Sequence, residues 1–215
     1  MKKQLLLALF FVFILSFQIK AQETHRKVEG IGIEVGVGYN FMKLHLELTD
    51  LDSTATLNNL WMQPSTRIHY DMMLKQIGKK NSLKLKTFLG YYTFGGKTLA
   101  DAKGNRLILA FGSIEAGAGL TFDFLNRFQL TPLIKAQYII SGKQRHLLKD
   151  QSGVPTEDIR TDVQNLSANA GLQFRFKYRH FTLGAEAWIG LNDFYKKDGY
   201  SAKENNYRVL IGYEF

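Results

Sequence analysis

Three polar residues at alternate positions, Arg67, His69 and Asp71, are the part of this sequence that most resembles a chemical site. Alternate positions of a β-strand face the same side, so the histidine would stand between a cation and a carboxylate. Such a trio could relay protons. The same spacing also fits a histidine that is one satisfied member of a buried polar face. Both interpretations require a strand whose polar side is enclosed.

Other chemistries have less support in the sequence. The chain contains no cysteine, which excludes disulfides, thiol chemistry and Cys-ligated metal sites. Its five histidines form no Cys–His cluster. We therefore predict no metal, no cofactor and no enzymatic activity.

Strands with one apolar face are the elements that must position these residues. Residues 207–215 place an apolar or aromatic side chain at every second position, and the sequence ends on Phe215. Segments of about ten residues or more are long enough for tilted strands to cross a hydrocarbon layer, whereas soluble sandwiches use strands of about five or six. The alternation predicts eight strands near residues 31–41, 62–74, 83–94, 108–122, 128–140, 165–176, 181–192 and 207–215.

The opposite faces of these strands are rich in glycine and charge, as a narrow lumen would be. Isolated charges in a poorly solvated space are costly, so opposite charges should pair there. Five carboxylates against six Lys and Arg nearly cancel. The predicted lumen charge network comprises Glu34, Arg67, His69, Asp71, Lys84, Lys86, Glu115, Lys135, Arg175, Glu186, Arg208 and Glu214.

Two hairpins allow the pairing to be predicted residue by residue. If Phe122 and Phe128 are opposed across their turn, Glu115 faces Lys135 directly. In the same way, opposing Leu74 with Leu83 sets Asp71 against Lys86. Directly opposed opposite charges stabilise a sheet.

The connections between the predicted strands alternate in length. Links near 75–82, 123–127 and 177–180 are short, whereas those near 42–61, 95–107, 141–163 and 193–206 are long. Short periplasmic turns, long outer loops and periplasmic termini are typical of an even-stranded outer-membrane barrel. The aromatics then form two girdles. The periplasmic girdle contains Phe122, Phe128, Phe174, Phe176, Phe181, Tyr213 and Phe215, and the outer one Tyr39, Phe41, Tyr91, Tyr138 and Tyr207.

The amino terminus has the features of a secretory signal peptide. A basic head precedes an apolar run over residues 5–17, and Ala21 offers a small residue for cleavage. We predict a cleaved signal over residues 1–21 and one domain over 22–215. Loss of three signal lysines lowers the net charge from +9 to +6. For an exported basic protein we expect anionic lipid headgroups or lipopolysaccharide phosphates as partners, and no nucleic acid.

With its signal, eight alternating strands and terminal aromatic residue, the chain resembles the small, porin-like outer-membrane β-barrel proteins of Gram-negative bacteria. The resemblance covers the whole mature length. It implies an all-β, eight-stranded antiparallel up-and-down transmembrane barrel in the cell outer membrane. It also implies that the assembly machinery reads the C-terminal strand ending in Phe215.

The function expected from these features is a non-enzymatic, monomeric barrel with a plugged, charge-paired lumen and a structural or loop-mediated interaction role. A small passive pore is one alternative. Some eight-stranded barrels are lipid A acyl-modifying enzymes that use a His with a Ser or acidic partner. The nearest resemblance here is His180 with Thr182, where threonine replaces the serine. A basic cluster over residues 143–149 could contact lipopolysaccharide phosphate or be a solvated loop.

Overall fold

The alternating segments all become strands in the computed structural model, and each strand pairs with its neighbours in an antiparallel ladder. The structure describes residues 28–48, 51–58, 63–97, 106–147, 156–159, 163–197 and 200–215. The predicted signal peptide and its cleavage site at Ala21 lie outside the described residues. Among the described residues, none belongs to a helix with the length and apolar character needed to span a bilayer.

Eleven strands form one sheet: β1 Val28–Leu48, β2 Leu51–Asn58, β3 Gln63–Ile77, β4 Asn81–Lys97, β5 Arg106–Phe124, β6 Phe128–Leu147, β7 Glu157–Asp158, β8 Leu166–Tyr178, β9 Phe181–Gly190, β10 Tyr195–Lys197 and β11 Tyr200–Glu214. Eight of them build the barrel wall, namely β1, β3, β4, β5, β6, β8, β9 and β11.

The wall is closed because the first and last strands pair with each other. β1 and β11 form a ladder from Gly32 opposite Glu214 to Leu46 opposite Tyr200. Each wall strand is thereby paired on both sides, which is what backbone groups surrounded by lipid require. The predicted all-β, eight-stranded antiparallel barrel is confirmed.

Several strands run further than their apolar alternation does. β1 continues to Leu48 and pairs with β2, so much of the predicted first long loop is a hairpin that extends the wall. β11 begins at Tyr200, seven residues before the predicted start. The alternation stops where the apolar outer face stops, whereas backbone pairing continues because polar, threonine-containing segments are also compatible with strands.

The predicted register of the β5–β6 hairpin is wrong by two residues. Phe124, not Phe122, lies opposite Phe128, so Lys135 pairs with Gly117 and Glu115 with Gln137. The cause is a tight turn over residues 125–127, in which two non-glycine residues adopt positive φ, 59° and 55°. This turn keeps the strands paired two residues further than a five-residue link would.

The β3–β4 hairpin shows the opposite outcome. Asp71 lies directly opposite Lys86, as predicted. Leu74 does not oppose Leu83, because a bulge between Met73 and Lys75 shifts the register of the residues between the bulge and the turn. On the side of the bulge away from the turn, the ladder keeps the predicted pairing.

Candidate functional site

The interior of the barrel is the candidate functional site. All twelve residues predicted to face the lumen are buried there, and every wall strand contributes at least one of them. Their inward direction follows from the period of two, which sends the apolar alternate positions outward. They form two ionic clusters with an apolar layer between them.

The first cluster surrounds Arg175, which lies on β8. Its Nη2 donates to Asp71 Oδ2 at 2.7 Å, and its Nη1 donates to Glu34 Oε1 at 2.9 Å. Glu214 Oε1 is 3.5 Å from the same Nη2, and His69 Nε2 is 3.2 Å from Nη1. One guanidinium thus joins side chains from β1, β3 and β11, as its planar set of donors allows.

Arg67 connects this cluster to the far wall. Its Nε contacts Glu34, while its Nη2 donates to Glu186 Oε1 at 2.6 Å. The other oxygen of Glu186 accepts a 2.9 Å hydrogen bond from Trp188 Nε1. The sequence-predicted trio of Arg67, His69 and Asp71 therefore does not form a relay, because Arg67 and Asp71 each bond to other partners.

The second cluster is centred on Glu115. Arg208 donates to both carboxylate oxygens, at 2.6 and 2.9 Å, and Lys135 Nζ donates to Oε2 at 2.8 Å. The guanidinium carbon of Arg208 also lies 3.6 Å from the centre of the Tyr92 ring. Lys135 reaches Glu115 diagonally across the ladder, so these two residues are in contact although their predicted direct opposition is wrong.

Apolar side chains fill the space between the clusters, opposite inward-facing glycines. Gly117 faces Phe88, Gly119 faces Leu133 and Gly171 faces Trp188, and a Cβ on any of these glycines would lie 2.5–2.6 Å from the facing side chain. This arrangement explains why Phe88 occupies the polar face of its strand. The glycines leave room for large side chains across a narrow lumen.

Sequence reasoning missed two buried carboxylates. Asp123 accepts hydrogen bonds from Lys84 at 2.6 Å and from Gln129 at 3.2 Å, and Glu204 accepts one from Asn206 at 2.6 Å. Both continue the inward alternation of their strands just beyond the predicted ends. Following that alternation for a few more residues would have found them. With them, seven buried carboxylates face six buried Lys and Arg side chains in the part of the chain that the structure describes.

An apolar cap lies beyond the second cluster, at the end of the barrel that carries the long connections. Phe94, Phe111 and Phe194 pack with ring centres 5.0–5.3 Å apart. Ile159 and Val163 join them from the connection between β6 and β8. All five side chains are buried. We refer to these five residues as the apolar cap.

The opposite end, where the short turns lie, contains a polar cleft of about 380 Å³. Lys84, Asp123, Lys177 and Glu214 are among its lining residues. Two of its rim contacts are ionic, since Lys84 bonds to Asp123 and Lys177 contacts Glu214. The cleft therefore extends from this end to Asp71 and Glu214 of the first cluster.

His69, Asp71 and Glu214 have potential metal-ligand atoms within 4.8 Å of one another. Their atoms also surround the guanidinium of Arg175, at 3.2, 2.7 and 3.5 Å. The arginine thus supplies the positive charge that a metal ion would bring. In this arrangement the three residues do not fit an additional cation.

His180 and Thr182, the two residues that resemble an acyl-enzyme site, lie in different surroundings. His180 lies exposed in the turn between β8 and β9, where its Nδ1 donates to the backbone oxygen of Glu214 at 2.9 Å. Its ring stacks on Tyr213 with centres 5.6 Å apart. Thr182, in contrast, is buried on the inward face.

The outer surface has the opposite character to the interior. Large apolar side chains are exposed around the wall, for example Val35 (51%), Leu89 (59%) and Ile134 (66%). Exposed aromatics border this belt on both sides, at Phe122, Phe174, Phe181, Tyr213 and Phe215 near the turns and at Tyr39, Tyr91, Tyr138 and Tyr207 near the long connections. A closed wall with a polar interior and an apolar belt between aromatic girdles is the structure of a transmembrane β-barrel. The chain is a small transmembrane β-barrel.

The likeness of this β-barrel to known proteins lies in its structure. No family model and no curated protein matches the sequence. Solved structures that match include Ail, the attachment invasion locus protein of Yersinia pestis, at 16% identity, covering 87% of this chain and 99% of that one with a TM-score of 0.42. The outer-membrane protease OmpT of Escherichia coli matches at 9% identity over 90% and 99%, with a TM-score of 0.45. Neisserial surface protein A matches at 16% over 86% and 98%, with a TM-score of 0.35. At these identities the likeness concerns the fold alone.

The apolar belt of this transmembrane β-barrel leads to a first prediction. Ala118 faces outward midway along β5, opposite Ile134. Replacing it by arginine is expected to cost about 2–4 kcal/mol, because the charge would lie near the middle of the bilayer. Heat-modifiable migration in detergent gels measures the folded fraction.

Ala110 provides the matched control, because it is an exposed alanine of the same strand, β5, that lies beyond the girdle near the long connections. Ala110→Arg is expected to assemble normally. Equal assembly of the two variants would show that the belt has been placed wrongly along β5.

Proposed function

We propose that the protein is a non-enzymatic outer-membrane barrel whose lumen is plugged, with a structural or loop-mediated interaction role. The apolar cap is the observation that carries this proposal. Its three phenylalanine rings form one stacked pair and two edge-to-face pairs, so ions that enter the polar cleft meet a water-excluding layer. An eight-stranded wall leaves room inside only for side chains.

The charges below the cap support the same proposal. Each of the six buried Lys and Arg side chains lies within 4.0 Å of a carboxylate oxygen. A conducting pore would favour an excess of one sign, whereas these charges neutralise one another. The ionic clusters are better suited to holding strands together than to conducting ions.

We further propose that the short turns and the termini lie in the periplasm and that the long connections lie outside the cell. The alternation of short and long connections supports this orientation. Lys143, Arg145 and Lys203 are exposed just beyond the girdle near the long connections, where lipopolysaccharide phosphates would be the partners. The assembly machinery would recognise β11, which ends in the exposed Phe215, and the barrel would act as a monomer.

A small passive pore is the second candidate, and the polar cleft at the turn end favours it. Planar-bilayer conductance of the refolded protein separates the two functions. We expect no steady channel from preparations that show complete heat-modifiable folding. Long-lived openings of uniform size would contradict the plugged lumen and support the pore.

A further inference from the structure

The turn end of the barrel carries a set of exposed cations. Lys79 and Lys80 lie in the turn between β3 and β4, Arg127 in the turn between β5 and β6, and Arg179 in the turn between β8 and β9. All four side chains are exposed. We refer to these four residues as the basic arc. Two side-chain carboxylates at the same end, Asp123 and Glu214, are buried and already paired with lysines.

Hydrogen bonds between neighbouring turns hold the basic arc in place. The backbone N–H of Asn126 donates to the carbonyl of Lys80 at 3.0 Å, and that of Lys177 donates to the carbonyl of Arg127 at 2.7 Å. The Asn81 side chain accepts a further hydrogen bond from Leu125 N–H at 3.2 Å. The three turns therefore form one continuous rim, so the cations project from a connected backbone.

Apolar neighbours set the depth of the basic arc in the membrane. Leu125 and Ile77 expose 57% and 48% of their surface at the same turns. Phe124 and Tyr178, at the adjacent strand ends, are also exposed, and the guanidinium of Arg179 lies 5.6 Å from the centre of the Tyr178 ring. The cations lie within two or three residues of these anchors. Because a strand advances only about 3.3 Å per residue, they are at most about 10 Å from the anchors along the strand direction. That distance corresponds to the headgroup layer.

We propose that the basic arc binds the headgroups of anionic phospholipids, of the phosphatidylglycerol type, in the leaflet at the turn end. Exposed Lys and Arg at a membrane surface attract anionic lipids, with a gain of roughly fivefold in association for each cation. The anchors hold the arc at phosphate depth, and the buried carboxylates of Asp123 and Glu214 at this end are already paired. The proposal rests on the membrane placement proposed above and adds a lipid class and a site to it.

Spin-labelled lipids test this inference in the intact refolded protein. In phosphatidylcholine bilayers, the fraction of motionally restricted label gives the association of phosphatidylglycerol relative to phosphatidylcholine. We expect the wild-type protein to prefer phosphatidylglycerol several-fold at low salt and to lose most of this preference at about 0.5 M salt, where the Debye length is only a few ångströms. The combined substitution Lys79→Gln, Lys80→Gln and Arg179→Gln should remove most of this preference and leave the contribution of Arg127.

The other end of the barrel offers a matched control with the same loss of charge. Lys143→Gln, Arg145→Gln and Lys203→Gln also remove two lysines and one arginine, all exposed beyond the opposite girdle. Because these three cations lie outside the basic arc and are themselves proposed to meet lipopolysaccharide phosphates, this variant should lower the preference less than the arc variant does. A preference lost in the control and kept in the arc variant would overturn the proposal, as would a ratio of one in the wild-type protein.

Two further results separate the possible causes of failure. If soluble glycerophosphate abolishes the preference at millimolar concentration, the basic arc is a site for free anions and the lipid proposal is wrong. If even phosphatidylcholine shows no restricted component, the protein is not in the bilayer and the proposed membrane function fails with it. If phosphatidylcholine is motionally restricted but phosphatidylglycerol is not preferred over it, only the basic-arc inference is wrong.

Discussion

Glu115→Gln is expected to lower the free energy of unfolding by about 3–5 kcal/mol, the usual cost of removing one partner from a buried ion pair. Glu115 is fully buried and bonds to both Arg208 and Lys135. Glutamine keeps the shape but not the charge, so two buried cations would lose the carboxylate that they share. Urea titration of the refolded protein in lipid vesicles measures the change.

Glu204→Gln is the matched control for this prediction. Glu204 is equally buried, and its described hydrogen bond comes from the neutral side chain of Asn206. Glutamine retains the accepting oxygen, so the expected change is below about 1 kcal/mol. A double-mutant cycle that combines Glu115→Gln with Lys135→Gln should show coupling. The double variant should be less destabilised than the sum of the two single variants. Equal effects of the two Glu→Gln variants would contradict the importance of the ionic cluster.

Arg175→Ala is expected to be at least as destabilising, by about 3–5 kcal/mol or more, because several carboxylates share this one guanidinium. Asp71, Glu34 and Glu214 would lose their common partner, although Lys86 and Arg67 would still contact Glu34. The variant would also vacate the space between His69, Asp71 and Glu214. Their nitrogen and oxygen atoms are ligands that Zn²⁺ accepts.

Zn²⁺ should therefore restore part of the stability of Arg175→Ala. At a free concentration of one hundred times Kd, the recovery would be about 2.7 kcal/mol. The wild-type protein should not respond, because Arg175 occupies the position. Arg175→Ala combined with His69→Ala should not respond either, since it lacks the nitrogen ligand. Equal recovery in both variants would indicate non-specific binding of the metal and contradict the prediction.

The facing of the strands could be predicted from the sequence because a closed wall forces a strict period of two. The period alone assigns Val35 to the outer face and its neighbour Glu34 to the inner face, and their exposed fractions are 51% and 0%. Phe88 did not follow the pattern, and its reason became visible only in three dimensions. Gly117, on the neighbouring strand, leaves the space that the Phe88 ring occupies.

Register was harder to predict, because it depends on turn conformation and bulges. In the β5–β6 turn, Leu125 and Asn126 adopt positive φ without a glycine to signal it. The bulge at Leu74 has no proline or glycine beside it either. The pairing of Asp71 with Lys86 was predicted correctly because both lie on the side of the bulge away from the turn. The pairing of Glu115 with Lys135 was wrong because the β5–β6 turn shifts the register.

The apolar cap could not be predicted from alternation. Ile159 and Val163 come from a connection without strand periodicity, and Phe194 follows the end of β9. An isolated apolar residue in a long connection does not reveal whether it turns toward the lumen or away from it. That direction is set by tertiary packing against Phe94 and Phe111.

The seam between β1 and β11 determines when the protein can fold. The ladder that closes the wall joins the two ends of the described chain, and the bond from Arg175 to Glu34 spans 141 residues. Contacts so distant in sequence form slowly, since the entropy of closing the chain is lost before any pairing is gained. A chain that stopped before β11 would lack Arg208, leaving Glu115 with Lys135 alone, and would expose two unpaired strand edges. The wall can therefore close only after its last strand has been made.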